Sequence, residues 1–227
     1  MWVFPLVAAI VAFAFGGRLA STWATRRASH ELLWIVALAM YGLASLAVVA
    51  GVAGGWTRVE YQVYWALGAV LNVPFLAGGE MLLLFRAPWV RWATWLALVF
   101  LSAFTVATLQ GAAMDPVALA ETLPLGREVF GAGSAAQRLA PTIAYPAYIL
   151  LVAGATWSAW RMRGRPDVRA RFVGTVLIAV GATVVAAGAA FAVKGMLAGF
   201  SATLAAGISI MFLGFLRAAR RDHVAAA

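Results

Sequence analysis

Seven apolar stretches, with arginines gathered in every second gap between them, limit what this chain can fold into. A helix needs roughly 20 apolar residues to cross about 30 Å of hydrocarbon. Stretches of that order run over residues 2–19, 32–54, 59–85, 88–110, 142–160, 172–193 and 196–216. None shows the strict alternation of a lipid-facing barrel strand, so the sequence predicts helices. With 64% hydrophobic residues among 227, too little polar surface remains to coat a soluble domain. The expected fold is an all-α membrane protein, one seven-helix transmembrane bundle over residues 1–227.

The net charge of +9 would suit nucleic acid, but the placement of the basic residues points elsewhere. Arg18, Arg26 and Arg27 follow the first stretch, and Arg86 and Arg91 flank the gap after the third. Arg161, Arg163, Arg165, Arg169 and Arg171 follow the fifth, and Arg217, Arg220 and Arg221 follow the last. The alternate gaps hold only Arg58, Arg127, Arg138 and Lys194. Thirteen against four is a positive-inside bias, which predicts an outside N-terminus and a cytoplasmic C-terminus. The expected location is a bacterial cytoplasmic (inner) membrane, crossed several times. Anionic headgroups of the bilayer account for the arginines without a nucleic-acid partner.

Residues 1–15 carry no basic residue ahead of their apolar run, and the positive charges come after it. That order predicts a retained first helix rather than a secretory signal. The chain has no cysteine, which excludes disulfides, thiolate metal sites, iron–sulfur clusters and covalently held c-type haem.

The long connection, residues 112–141, is expected on the outer face. Segments of this length are usually functional or locally folded. Asp115-Pro116 reads as an N-cap followed by proline at the first helical position, opening a short helix that Leu123-Pro124-Leu125-Gly126 ends. Val129-Phe130-Gly131-Ala132-Gly133 then forms an apolar loop able to cover the mouth of the bundle. The alternative is a linker resting on headgroups.

Gly174, Gly181, Gly188 and Gly195 recur every seven residues, with Thr175, Ala182 and Ala189 beside them. Such a stripe lets a neighbouring helix approach closely, and Gly207 and Gly214 repeat it in the last stretch. The last two helices are expected to pack against each other or against other central helices. Pro74 and Pro146 should kink or loosen their helices. They occupy similar places in two three-helix halves around the fourth stretch, but no further internal match supports a repeat.

The third stretch concentrates candidate chemistry. Tyr61, Trp65, Gly68, Asn72 and Gly79 fall near one helical face, with Gln62 and Tyr64 at its outer end and Glu80 well inside. A carboxylate within a span is a functional candidate by default. That role would be in handling a proton or a ligand. Glu80 can instead reach the interface or pair with Arg86, Arg91 or a residue on the neighbouring helix. Asn72 can repair a backbone carbonyl freed by Pro74 or contact a ligand. Lys194, the only lysine, sits at a span end, and the last stretch lacks the lysine that a retinal Schiff base requires. His30 and His223 are the only histidines and both lie outside the spans, so no metal site or activated nucleophile is expected there. Glu31 most simply begins the second stretch, and several of the ten tryptophans mark span ends.

The segments Val63-Tyr64-Trp65-Ala66-Leu67-Gly68-Ala69-Val70-Leu71-Asn72-Val73-Pro74 and Leu123-Pro124-Leu125-Gly126-Arg127-Glu128-Val129-Phe130-Gly131-Ala132-Gly133 resemble seven-helix inner-membrane proteins of actinobacteria. The resemblance implies an all-helical fold and carries no activity with it. Because both segments belong to the outer half or the outer loop, they favour an extracytoplasmic site.

The functional expectation is a non-enzymatic membrane protein, without cofactor or metal, that binds or moves a small apolar or amphipathic ligand through an outward-facing pocket. Its candidate residues are Tyr61, Trp65, Asn72, Glu80, Glu128, Phe130 and Tyr145. The alternative is a non-catalytic subunit whose glycine-striped helices pack against a membrane-protein partner or a second copy of the chain.

Overall fold

The structure is a computed structural model that describes residues 2–164 and 168–219. Arg165, Arg220, Arg221 and His223 lie outside the described residues. The fold is all-helical, with 86% of residues in helix and no strand among the described residues. Seven helices are long and apolar enough to cross a membrane. They are α1 (Val3–Arg26), α2 (Ser29–Gly54), α3 (Arg58–Leu84), α4 (Pro88–Gln110), α7 (Ala135–Met162), α8 (Arg169–Val193) and α9 (Leu197–Ala219). Two short helices, α5 (Pro116–Leu119) and α6 (Gly126–Val129), shape the long connection between α4 and α7.

Several helices outrun their apolar stretches. The last turns of α1 contain hydroxyl side chains that bond back to its own carbonyls: Ser21 Oγ donates to Arg18 O (2.7 Å) and Thr25 Oγ1 to Thr22 O (2.8 Å). The helix stops only at Arg27, which adopts a left-handed conformation with φ 51°. At its other end the chain lengthens α7, whose first turns precede the predicted start by taking in Pro141.

Proline explains that irregularity and a matching one in α3. Residues Tyr64–Leu71 wind as a π-helix, and the Asn72 N–H reaches back five residues to Leu67 O. Residues Ala140–Ala144 of α7, which include Pro141 and end two residues before Pro146, also wind as a π-helix. A proline lacks its N–H and crowds the preceding turn, and π-helical winding is one way for membrane helices to re-pair the backbone. The kinks expected at Pro74 and Pro146 are thus taken up as wider turns, and the two π-helical segments pack against each other.

Six helices close a ring. α1 packs on α2 and α9, α2 on α3, α3 on α7, α7 on α8, and α8 on α9. α4 stands outside the ring against α3 and the first turn of α7. Its outer face carries Leu96, Val99 and Phe100, all exposed, as lipid-facing residues would be.

The α8–α9 pair is the closest contact in the ring, and glycine is the reason. A Cβ on Gly181 would lie 2.5 Å from Gly207 O, and one on Gly174 would lie 2.6 Å from Gly214 O. The reverse contacts, Gly207 toward Gly181 O and Gly214 toward Gly174 O, are 2.7 Å each. Backbone meets backbone at two levels, and at a third Gly188 faces Thr203. Gly195 breaks away from this stripe. It sits in the turn between the helices at φ 67°, where it meets no neighbour, so its seven-residue spacing has a different cause from the other three.

Candidate functional site

The connection between α4 and α7 is pinned across one end of the ring. Asp115 caps α5 by accepting from the Val117 N–H (2.8 Å), as its place before Pro116 predicts. The Asp115 N–H donates to Val129 O (2.8 Å), closing the loop on itself. Side chains of α3 and the residues before it then hold the loop down. Trp56 Nε1 donates to Thr122 O (3.2 Å), the Tyr61 hydroxyl to Pro124 O (3.1 Å) and Trp65 Nε1 to Ala136 O (3.0 Å). Arg58 Nη2 and Gln62 Nε2 bond the carbonyls of Ala112 and Leu109, at 2.7 and 2.8 Å.

Beneath the loop lies an aromatic cluster. The Phe130 ring sits 5.6 Å from that of Tyr61 and 5.5 Å from that of Trp65, with Trp56 and Tyr64 on the far side. Tyr61, Val129 and Phe130 are buried. Gly126 lies directly under Trp65, where any Cβ would enter the indole ring. Tyr61, Trp65 and Phe130 pack on one another where an outward-facing pocket is expected. The seven candidate residues therefore separate. Tyr61, Trp65 and Phe130 form the cap. Glu128 is exposed beside Arg127 (3.5 Å), and Tyr145 is 61% exposed on the outside of α7. Asn72 is buried just past the π-helical segment, and among the described residues its side chain forms none of the backbone hydrogen bonds expected near Pro74.

Glu80 stands apart, near the opposite end of α3, and is only 8% exposed. It lines a cavity of about 90 Å³ to which all six ring helices contribute, among them through Phe15, Trp34, Ser158, Thr175 and Met211. Gly154 of α7 makes room for the carboxylate: a Cβ there would lie 2.7 Å from Glu80 Cγ and 3.3 Å from its Oε1. Trp34 is fixed alongside by donating from Nε1 to Leu76 O (3.1 Å), and Gly79 leaves space for its ring. Among the described residues no cation lies within ion-pair distance of Glu80. Arg86 and Arg91 are both exposed, and Arg91 stacks over Trp92 at 5.9 Å.

An unpaired carboxylate held away from water costs free energy unless a hydrogen-bond donor or a cation meets it. A donor or cation entering the chamber would meet that need, as would a proton on the carboxylate itself. Sequence reading missed its other polar members, Trp34, Ser158 and Thr175, along with the space-making Gly154. The only available signal was Gly154 and Ser158 sharing a face of one helix at four-residue spacing. Glu31, assigned simply to a helix start, is buried, and its Oε2 has no hydrogen-bond partner among the described residues.

No protein-family model, curated protein or solved structure matches this chain. The fold itself defines the class, a helical protein with seven membrane-length segments. Within that class its particular feature is a carboxylate enclosed by a six-helix ring that an aromatic cap closes at one end.

Proposed function

We propose that this protein binds, and carries across the bilayer, a small amphipathic ligand bearing a hydrogen-bond donor or a positive charge, with Glu80 as the group that meets it. The observation that carries this reading is the Glu80 carboxylate in a chamber shared by six helices, with no cation beside it among the described residues. The chamber's size limits the ligand. About 90 Å³ is room for a few waters at ~30 Å³ each, well below the roughly 300–1,000 Å³ of drug-sized pockets. It accepts an amine or hydroxyl head as it stands, and anything larger requires the ring helices to part. The glycine stripe that suggested a subunit role is used within the chain, between α8 and α9.

Native mass spectrometry of protein extracted in mild detergent tests the reading. Wild type is expected to retain a small molecule that Glu80→Gln loses, with both proteins folded to the same midpoint. Equal retention by both, or a co-purifying polypeptide and no small molecule, would turn the assignment toward a complex subunit.

The proposed topology places the N-terminus outside, the cap on the outer face and the arginine-rich end in the cytoplasm of a bacterial inner membrane. The support is the positive-inside bias. Ala132, exposed in the cap, and Arg163, exposed after α7, provide the test in this cysteine-free chain. Ala132→Cys is expected to react with an impermeant thiol reagent in intact cells, and Arg163→Cys only after lysis. The reverse pattern would invert the protein.

A further inference from the structure

A second cavity, of about 300 Å³, opens at the arginine-rich end between the start of α2 and the turn from α3 to α4. It is separate from the Glu80 chamber, and nothing in the preceding reading depends on it. Its walls include Ser29 and His30 of α2, Phe85 and Arg86 of the turn, and Pro88 and Arg91 of α4. Among the described residues no acidic side chain lines it. Glu31, the nearest acid on α2, is buried rather than turned into the cleft. Arg86 and Arg91 are exposed, and neither forms an ion pair among the described residues. Two guanidinium groups thus share one concave site with no counter-charge among the described residues.

The surroundings add to the positive potential and set the depth. α2 and α4 both begin at this wall, after Ala28 and Ala87, and neither cap residue offers a side-chain acceptor to the first turn. A helix N-terminus carries about half a positive charge, and both of these face the wall, although Pro88 at the start of α4 has no N–H to offer. Trp89 and Trp92, 73% and 70% exposed, flank Arg91 with Phe85 nearby, the aromatic pattern of a membrane–water interface. Guanidinium forks match phosphate oxygens in geometry as well as in charge.

We infer that the cleft between α2 and the α3–α4 turn binds a phosphate group, through Arg86 and Arg91. The aromatic rim favours the headgroup of an anionic phospholipid as its source, with free phosphate as the other source of the same chemistry.

The test uses the full chain in bilayer nanodiscs of equal phosphatidylglycerol and phosphatidylcholine, released for native mass spectrometry. Wild type is expected to hold phosphatidylglycerol in preference to phosphatidylcholine. The double variant Arg86→Gln/Arg91→Gln should retain at least about tenfold less, the effect of losing charge-assisted hydrogen bonds. Arg127→Gln, at the capped end, should retain as much as wild type, and Arg86→Lys/Arg91→Lys should keep most of it by charge alone. A second arm adds inorganic phosphate to lipid-free protein in detergent. A rise in midpoint for wild type but not for the glutamine pair, without lipid preference, would support the site with free phosphate as its ligand. Should the glutamine pair fail to fold, Arg86→Gln alone against the lysine pair gives the same comparison. Retention of phosphatidylglycerol by the glutamine pair at the wild-type level, with no arginine-dependent phosphate effect, would overturn the assignment.

Discussion

Gly181→Leu is expected to produce one of the largest losses of stability of any single substitution in this protein, and Gly181→Ala a substantial part of it. The first atom of any side chain at position 181 would lie 2.5 Å from Gly207 O and 2.6 Å from Met211 Cγ. Met211 can swing aside, but a carbonyl in the middle of α9 cannot move unless the helix moves. Overpacking of this kind costs about 1–3 kcal/mol where side chains can adjust, and leucine against backbone belongs at or above the top of that range. In a bilayer, where apolar burial drives helix association weakly, close packing is a main source of the pairing energy. The midpoint of thermal aggregation in detergent measures the effect, with Val180→Ala on the exposed side of the same helix as the control. A Gly181→Leu midpoint equal to that of Val180→Ala would mean that α8 and α9 do not depend on this contact.

Trp65→Ala is expected to release the cap. The indole packs against Tyr61 and Phe130, covers Gly126 and donates to Ala136 O. Removing a fully buried aromatic side chain costs about 3–5 kcal/mol, so half-buried Trp65 belongs at or below the low end, and the lost hydrogen bond adds roughly 0.5–1.5 kcal/mol. Because loop and ring meet through this side chain, the loss falls on their contact first. Limited proteolysis around Gly131 and Gly133, both at positive φ in an exposed turn, should become faster along with the fall in midpoint. Trp65→Phe keeps much of the ring and loses the hydrogen bond, so it should lie between. Unchanged proteolysis and midpoint in Trp65→Ala would show that the loop is held without the aromatic cluster.

How far the site could be read from the chain differed by residue. Asp115 and Pro116 were legible as a helix start because capping is settled within four residues. The face of Tyr61 and Trp65 was also legible, but its occupant was not. An aromatic face looks the same in sequence whether a ligand or another part of the chain fills it, and Phe130, more than sixty residues on, fills it here. Gly195 shows the same limit in small form. A glycine that permits close packing and one that permits a positive φ are the same letter, and spacing placed both in one stripe.

The apolar length of each segment, the arginine-rich gaps and the seven-residue glycine period are properties of single helices, and the sequence alone determined them. The energy of placing a helix in hydrocarbon depends on that helix's own residues, whatever its neighbours. Which helices close the ring, why α4 stays outside it and what surrounds Glu80 depend on contacts between residues far apart in the chain. α4 is as apolar as its ring neighbours, so hydropathy cannot separate it from them. Gly154 of α7 meets Glu80, and Thr175 of α8 and Trp34 of α2 join its cavity, only once the ring has closed. Pairing with Arg86 or enclosure in the bundle were both open to that carboxylate along its own helix. The tertiary structure decided between them, because the free energy of a carboxylate is set by the groups that surround it in space.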